Sequence, residues 1–413
     1  MSCAEQQCDE VHLAMASLSG PSGGQDAVTS VLPDVWCIFQ EGLYQHLSSA
    51  DAFATFCTAR WGGEFGSSAP VRNLLLDRRG SDGRDAAALD FAPWPQIVSV
   101  KGTHTSVYAV QAGLEVATSL HTLDIELLFP EALEELLPLH FASASRLRRL
   151  VLRCCYEEML ISLSAALHAG LLPGLRELEL LGSPKGSTSR ARGLQWPPRR
   201  SGLAAESFDP AVADALAAAV RAAPSLEALA VHSVSSVGGK PEALISMGCR
   251  PGLRRLSLAG CESLGHEVML SILRSLARSS PALEYLTLFP APLSIAPMES
   301  PVEVGRGVAE LMGHCLALRT LRLSWCALAD EGAFALIAGL SMHAVGLCRS
   351  LLVADFSHSG IGIASLPLLE VFHAYAPSLQ QLGLSGCQVA EVAGTVRARA
   401  FTNASGRKLV VSV

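Results

Sequence analysis

Twelve cysteines and twelve histidines among 413 residues are the side chains of this sequence best suited to metal or nucleophilic chemistry. A local metal site needs paired ligands that reach one ion, as in C-x-x-C or two histidines at i and i+4. No C-x-x-C occurs, no two histidines stand four apart, and the adjacent Cys154 and Cys155 have no second pair near them. No phosphate loop G-x-x-x-x-G-K-[S/T] and no H-E-x-x-H is present. Gly238-Gly239-Lys240 runs straight into Pro241 and reads as a turn rather than a phosphate cradle. A catalytic triad assembled in space would leave no trace of this kind. With no site visible to argue from, no catalytic residue, metal or cofactor is assigned, and binding rather than enzymatic chemistry is expected.

The cysteines carry a different message. Residues 253–261 spell L-x-x-L-x-L-x-x-C, ending in Cys261, and Cys155, Cys326 and Cys387 close the same pattern elsewhere. Equivalent residues in a stack of strands lie about 4.8 Å apart only when their strands are neighbours. These four do not belong to adjacent units, so they cannot pair with one another. The expected role is a reduced, buried thiol that fills space as a small apolar group.

The unit that positions them is clearest in Pro251–Ser280. Its first half alternates like a strand, and Val268, Leu270, Ile272, Leu273 and Leu276 then recur at helical spacing. One strand and one helix cannot bury both of their faces alone, so such a unit must stack on copies of itself. The first leucines of nine copies are Leu120, Leu147, Leu175, Leu226, Leu253, Leu283, Leu318, Leu351 and Leu379. Subtraction gives intervals of 27, 28, 51, 27, 30, 35, 33 and 28, the longer ones holding insertions. Pro173, Pro224, Pro251, Pro281 and Pro377 stand just before the strands, where proline stops a helix and turns the chain. Helices are expected near 157–169, 210–222, 266–279, 303–314, 331–344, 365–375 and 388–400. The array resembles leucine-rich repeats of the longer, helix-backed, ribonuclease-inhibitor-like type, a resemblance that covers most of the chain. It implies an α/β solenoid, a horseshoe with a parallel sheet on the concave side and helices on the convex side.

In L-x-x-L-x-L the leucines face the core and the residues between them line the concave sheet. Three early units present Thr122, Asp124 and Glu126; Arg149, Val151 and Arg153; and Glu177, Glu179 and Leu181. Acidic rows flank a basic one here, and neutralisation across neighbouring strands is expected. Later units present Arg255, Ser257 and Ala259; Tyr285, Thr287 and Phe289; and Thr320, Arg322 and Ser324, followed by Trp325. Outward aromatics beside arginines have the composition of an interface hot spot. Arg255, Tyr285, Phe289, Arg322 and Trp325 are therefore the candidate partner-binding residues of the concave face. The plainer alternative is that the insertion Ala291–Val304 folds back over the rings.

Outside the array, residues 1–30 are rich in Ser, Gly and Ala and read as a disordered tail. Residues 31–63 hold a helical stripe of Val35, Ile38, Phe39, Leu43 and Leu47, then Ser48 and Asp51 opening a second helix with Phe53, Phe56, Cys57 and Trp61. This small helical module resembles an F-box on Leu32-Pro33, Ile38-Phe39, Leu47, Ser48–Asp51, Phe53, Cys57, Arg60 and Trp61. It departs from that family in a longer Leu-Pro to Asp interval and in Ala52 where a leucine is usual. The resemblance implies that Leu32, Pro33, Ile38, Phe39, Leu43 and Leu47 present a surface to the Skp-type adaptor subunit of a cullin–RING ubiquitin ligase, while the horseshoe holds a protein substrate. A helical cap shielding the first repeat is the alternative, since solenoid ends need one; the chain would then be a leucine-rich-repeat scaffold or regulator with no ligase link.

The solenoid is expected over 70–413, with strands at Val71–Leu76 and Ile97–Val100 leading in and a last one in Gly406–Val413 covering the open edge. Its long interval carries a basic insertion, 182–205, with Lys185, Arg190, Arg192, Arg199 and Arg200 and no acid. A solvated surface loop is the plain reading of it; a docking or phosphorylation segment around Ser201, or contact with RNA or an acidic protein, are the functional ones. Net charge is −7 and pI about 6.0, which argues against a general nucleic-acid or anionic-membrane binder. No basic leader and no apolar run of membrane-spanning length is seen, so a cytoplasmic or nuclear location is expected.

Overall fold

Each repeat places Leu, then alternating residues, on a strand whose inner side must meet a helix. In the computed structural model that requirement is met by stacking. The structure describes residues 73–77, 99–105, 120–127, 146–153, 157–182, 210–234, 240–261, 263–290, 300–342, 348–365, 375–388 and 410–412. The tail 1–30, the F-box-like residues 31–63 and insertion residues 183–205 lie outside them.

Twelve strands form one sheet in strict chain order, every neighbouring pair parallel. They are β1 (Asn73–Asp77), β2 (Ser99–Thr105), β3 (Thr122–Leu127), β4 (Arg149–Arg153), β5 (Glu177–Leu181) and β6 (Ala228–His232). β7 (Arg255–Cys261), β8 (Tyr285–Pro290), β9 (Thr320–Arg322), β10 (Val353–Asp355), β11 (Gln381–Gly383) and β12 (Val410–Ser412) complete it. Six helices are described: α1 (Glu157–His168), α2 (Pro210–Ala222), α3 (Pro241–Gly248), α4 (His266–Ser279), α5 (Pro301–His314) and α6 (Ala329–Ser341). This is an α/β leucine-rich-repeat solenoid, with strands on the concave side and helices on the convex side. The stretch between β5 and β6 is one long repeat, because the two strands pair directly.

The leucines of the repeat make the core. Leu253, Leu256, Leu258, Leu283, Leu286 and Leu288 are each 0% exposed. Against them pack Ile272, Leu273 and Leu276 of α4 and Val304, Val308 and Leu311 of α5. Burying one such side chain stabilises the fold by roughly 1.5–3 kcal/mol. Helices α5 and α6 approach so closely that a Cβ on Gly305 would lie 2.0 Å from the Gly332 carbonyl oxygen.

Two ladders of buried polar side chains tie repeat to repeat behind the strands. At the cysteine position, the Cys261 thiol donates to the Val231 carbonyl at 3.7 Å and that of Cys387 to the Phe356 carbonyl at 3.4 Å. Ser359 holds the equivalent place in its unit, with its hydroxyl 3.1 Å from the Cys326 sulfur and donating to the Leu323 carbonyl at 3.1 Å. The second ladder lies just before each repeat's first leucine. Arg250, 5% exposed, donates to the Ala223 and Leu226 carbonyls. The Ser280 hydroxyl donates to Arg250 O at 3.3 Å, the Cys315 thiol to Ser280 O at 3.3 Å, and the Cys348 thiol to Met312 O at 3.6 Å. Buried carbonyls at the turns are thus satisfied by the next repeat.

Helix α3 was not expected from the pattern, because eight residues are too few to show a stripe and Pro241 reads as a turn. Proline at a first helical position lacks only an N–H that has no partner there anyway. Helix α5 starts before the expected 303: Ser300 caps it by accepting the Glu303 N–H at 3.4 Å, so the end of the Ala291–Val304 segment is helical. Residues 291–299, the expected helix behind β2 at 107–119, and most of the helices expected at 365–375 and 388–400 lie outside the described residues.

Candidate functional site: the concave face

The strand register arranges the outward side chains in rows. One row runs Thr122, Arg149, Glu177, Ala228, Arg255, Tyr285, Thr320, Val353. The next runs Asp124, Val151, Glu179, Ala230, Ser257, Thr287, Arg322, Asp355. A third holds Arg153, Leu181, His232, Ala259 and Phe289.

On the early strands the charges are consumed by one another. Arg153 grips Asp124 with two hydrogen bonds, at 2.6 and 2.9 Å. Arg149 lies 3.7 Å from Glu177 and 3.4 Å from Glu179. Arg255 reaches back across Ala228 to pair with Glu177. The small Ala228 side chain leaves that path open. Along the adjoining edge, Arg176, Glu227, Arg254 and Glu284, each just before its strand, alternate in sign from repeat to repeat, with Arg176–Glu227 at 3.6 Å and Arg254–Glu227 at 4.0 Å. The Arg254 guanidinium holds the Glu284 carboxyl below its usual range.

Between the halves sits His232, half-buried, with its Nε2 2.8 Å from the Ser257 hydroxyl. Burial pushes its pKa down, which favours the neutral ring, and the Glu179 carboxylate opposes that shift. Serine and histidine at this spacing also occur in nucleophilic sites. Among the described residues no hydrogen bond to Glu179 orients the ring, and the pair reads as a satisfied polar contact.

The later strands differ. Tyr285 and Phe289 flank Thr287 on β8, all three half-buried. Arg322 is exposed on β9 between Thr287 and Asp355. Asp355 does not pair with it: its Oδ1 accepts the Ser357 N–H at 3.0 Å and the Ser357 hydroxyl at 2.6 Å. The same carboxylate leans over Gly383, where a Cβ would come 2.4 Å from Oδ1. Of the arginines on the concave face, Arg322 alone makes no ion pair among the described residues.

Trp325 lies at the turn beyond β9 with φ of 61°, and His358, its counterpart in the next repeat, has φ of 56°. Ser233, Gly260 and Gly386 occupy the same turn position in other repeats, all left-handed. The turn demands that backbone, and a bulky residue there costs about 1–2 kcal/mol. The Trp325 and His358 rings stack with centroids 4.4 Å apart and planes 13° from parallel. His358 was not singled out from the sequence. Aligning the turn position across repeats would have placed it beside Trp325.

The thiols take no part in the site. Burial pushes Cys261 and Cys326 up to about 12 and Cys315 up to about 11, so they stay protonated and inert. Among the described residues no group of histidines, cysteines and acids could hold a metal ion. No described helix is long and apolar enough to cross a membrane. Of the sequence candidates, the register brings Arg255, Tyr285, Phe289 and Arg322 onto neighbouring strands and puts Trp325 at their end, while Leu32, Pro33, Ile38, Phe39, Leu43 and Leu47 lie outside the described residues.

Fold and face together define a leucine-rich-repeat solenoid. No protein-family model matches the chain, and no curated protein matches it. A solved structure from yeast, described as that of the Rad7 and Elc1 complex, is similar over 94% of this chain and 94% of that one, at 13% identity and a TM-score of 0.38. At that score the likeness adds nothing about what this chain binds.

Proposed function

We propose that the chain is a protein-interaction module that acts as a substrate-recognition adaptor of an SCF-type, cullin–RING ubiquitin ligase. It has no catalytic role of its own and works in the cytoplasm or nucleus. On this reading the N-terminal module, through Leu32, Pro33, Ile38, Phe39, Leu43 and Leu47, docks on the Skp-type subunit, and the concave face of β8 and β9 holds the substrate. The mechanism is proximity: tethering raises the effective concentration of the target near the ubiquitin-carrying enzyme.

One observation carries the binding half of the reading. Among the described residues the charged side chains on β3–β7 are matched within the sheet, whereas β8–β9 offer Tyr285, Phe289 and an Arg322 that makes no ion pair. Half-buried rings beside an exposed arginine have the composition of an interface hot spot. The ligase half rests on the F-box resemblance of residues 31–63. Its test is capture of the Skp-type subunit by the full chain, compared with Ile38→Asp and Leu47→Asp. Loss of a buried apolar anchor should cost about 2 kcal/mol or more, roughly thirtyfold in affinity. Equal capture by all three would leave a leucine-rich-repeat scaffold with no ligase link.

A further inference from the structure

The geometry points to the class of ligand that the β8–β9 surface takes: an extended peptide that seats an acidic side chain on Arg322 and lays a neighbouring large apolar residue against Phe289 and Trp325. The inference rests on the reading of this face as the partner-binding surface and narrows it.

Charge selects the acid. Arg149, Arg153 and Arg255 already have carboxylate partners on the concave face, and Asp355 is turned away onto Ser357. Among the arginines of the concave rows, the exposed Arg322 guanidinium is the one left to be matched, and its planar fork fits a carboxylate with two parallel bonds. The rings select the apolar neighbour. Phe289 lies one strand away on β8, and Trp325 follows Arg322 in the chain with its ring braced on His358. A ring already held in place loses little entropy when a ligand covers it.

Backbone pairing selects the mode. β8 is bonded to β7 on one side and β9 on the other, and β9 in turn to β10. An incoming peptide cannot join these strands and must be read by side chains. A polyanion such as single-stranded RNA could also stack on Trp325. It would then have to track a face that bears Asp124, Glu177 and Glu179 on a chain of net charge −7, and the observations favour a short peptide with one acid.

The test uses the full chain, immobilised, with three degenerate peptide pools that share Phe at one position and carry Glu, Gln or Lys two residues before it. Retention of the Glu pool should exceed that of the Lys pool by about tenfold, as a matched against a mismatched charge. Arg322→Glu should invert the order. Trp325→Gly keeps the left-handed turn while removing the ring, and should weaken retention of the Glu pool severalfold without changing the preference. Melting temperatures of the variants confirm that each is folded. Equal retention of the Glu and Lys pools, an order untouched by Arg322→Glu, retention of no pool, or displacement of the peptides by oligouridine at lower concentration than by free Glu-pool peptide each overturns the inference. If all pools bind equally and Phe289→Ala abolishes that binding, the inference is overturned while the reading of this face as the partner-binding surface stands. If no pool binds and partners recovered from cells keep their affinity for Phe289→Ala and Arg322→Glu, the surface itself has been misassigned.

Discussion

Between β3 and β7 the concave face is charged and closed on itself, whereas between β8 and β10 it carries rings and a cation that no described carboxylate holds. The turn positions differ in the same sense. Ser233 and Gly260 keep the earlier corners small, and a Cβ on Gly260 would come 2.4 Å from the Ser233 hydroxyl; Trp325 and His358 fill the later ones with stacked rings. Behind both regions the leucine core and the carbonyl ladders are alike. The repeat therefore supplies a constant back, and the repeats differ on the front, where each strand contributes only three outward residues. The first region is neutralised within the sheet; its neighbour is the one proposed to meet a partner.

Substitutions can break or sharpen that comparison. The largest effects should be common to both regions: Leu150→Ala and Leu288→Ala, each 0% exposed in the native state, should each lose about 2–5 kcal/mol of stability. Equal losses in denaturant melts support a shared back; a much smaller loss at Leu288 would mean that the later repeats are loosely packed and the comparison is unsound. Next in size, Phe289→Ala and Tyr285→Ala should weaken partner binding by about 2 kcal/mol each, whereas Glu179→Gln on the closed region should leave it unchanged. Titration calorimetry with a recovered partner decides, and an equal effect in both regions would erase the distinction drawn between them.

Trp325→Gly should change stability by less than about 1 kcal/mol, because relief of left-handed strain at φ of 61° offsets the lost stack on His358. A large loss would make Trp325 a structural residue rather than part of the open region. Alkaline conditions test the ladder behind both. Burial raises the Cys261 thiol from 9.0 to about 12. Stability from this group is full below about pH 9 and is lost as pH rises toward 12. At pH 8 the folded protein should leave Cys261 and Cys326 unmodified by iodoacetamide, and unfolding should expose both. Smallest of all, Arg149→Gln should cost about 0.5 kcal/mol or less, since the side chain is 49% exposed; raising the salt concentration should shrink even that.

Much of this organisation can be read from residue order alone. Leucines at fixed offsets, prolines ahead of strands and helical stripes between them placed α1, α2 and α4 within a residue of their observed ends. They did so because one repeat's pattern is a local property and the stack follows from its unburied faces. The pairing of Arg149 with Glu177 was equally legible, since adjacent repeats put equal positions side by side. Helix α3 was hidden by its brevity, and its Pro241 looked like a turn.

What only the tertiary structure decided are the choices a side chain makes among several reachable neighbours. Arg255 could have stood beside Tyr285, yet it crosses a strand to Glu177 because Ala228 leaves the way clear. Asp355 could have met Arg322, yet the short turn after β10 offers it the Ser357 N–H and hydroxyl at closer range. Trp325 and His358 are distant in sequence, and their stacking exists because two left-handed turns fall one above the other. The repeat pattern settles which residues are neighbours; reach, size and turn geometry settle which of those neighbours touch.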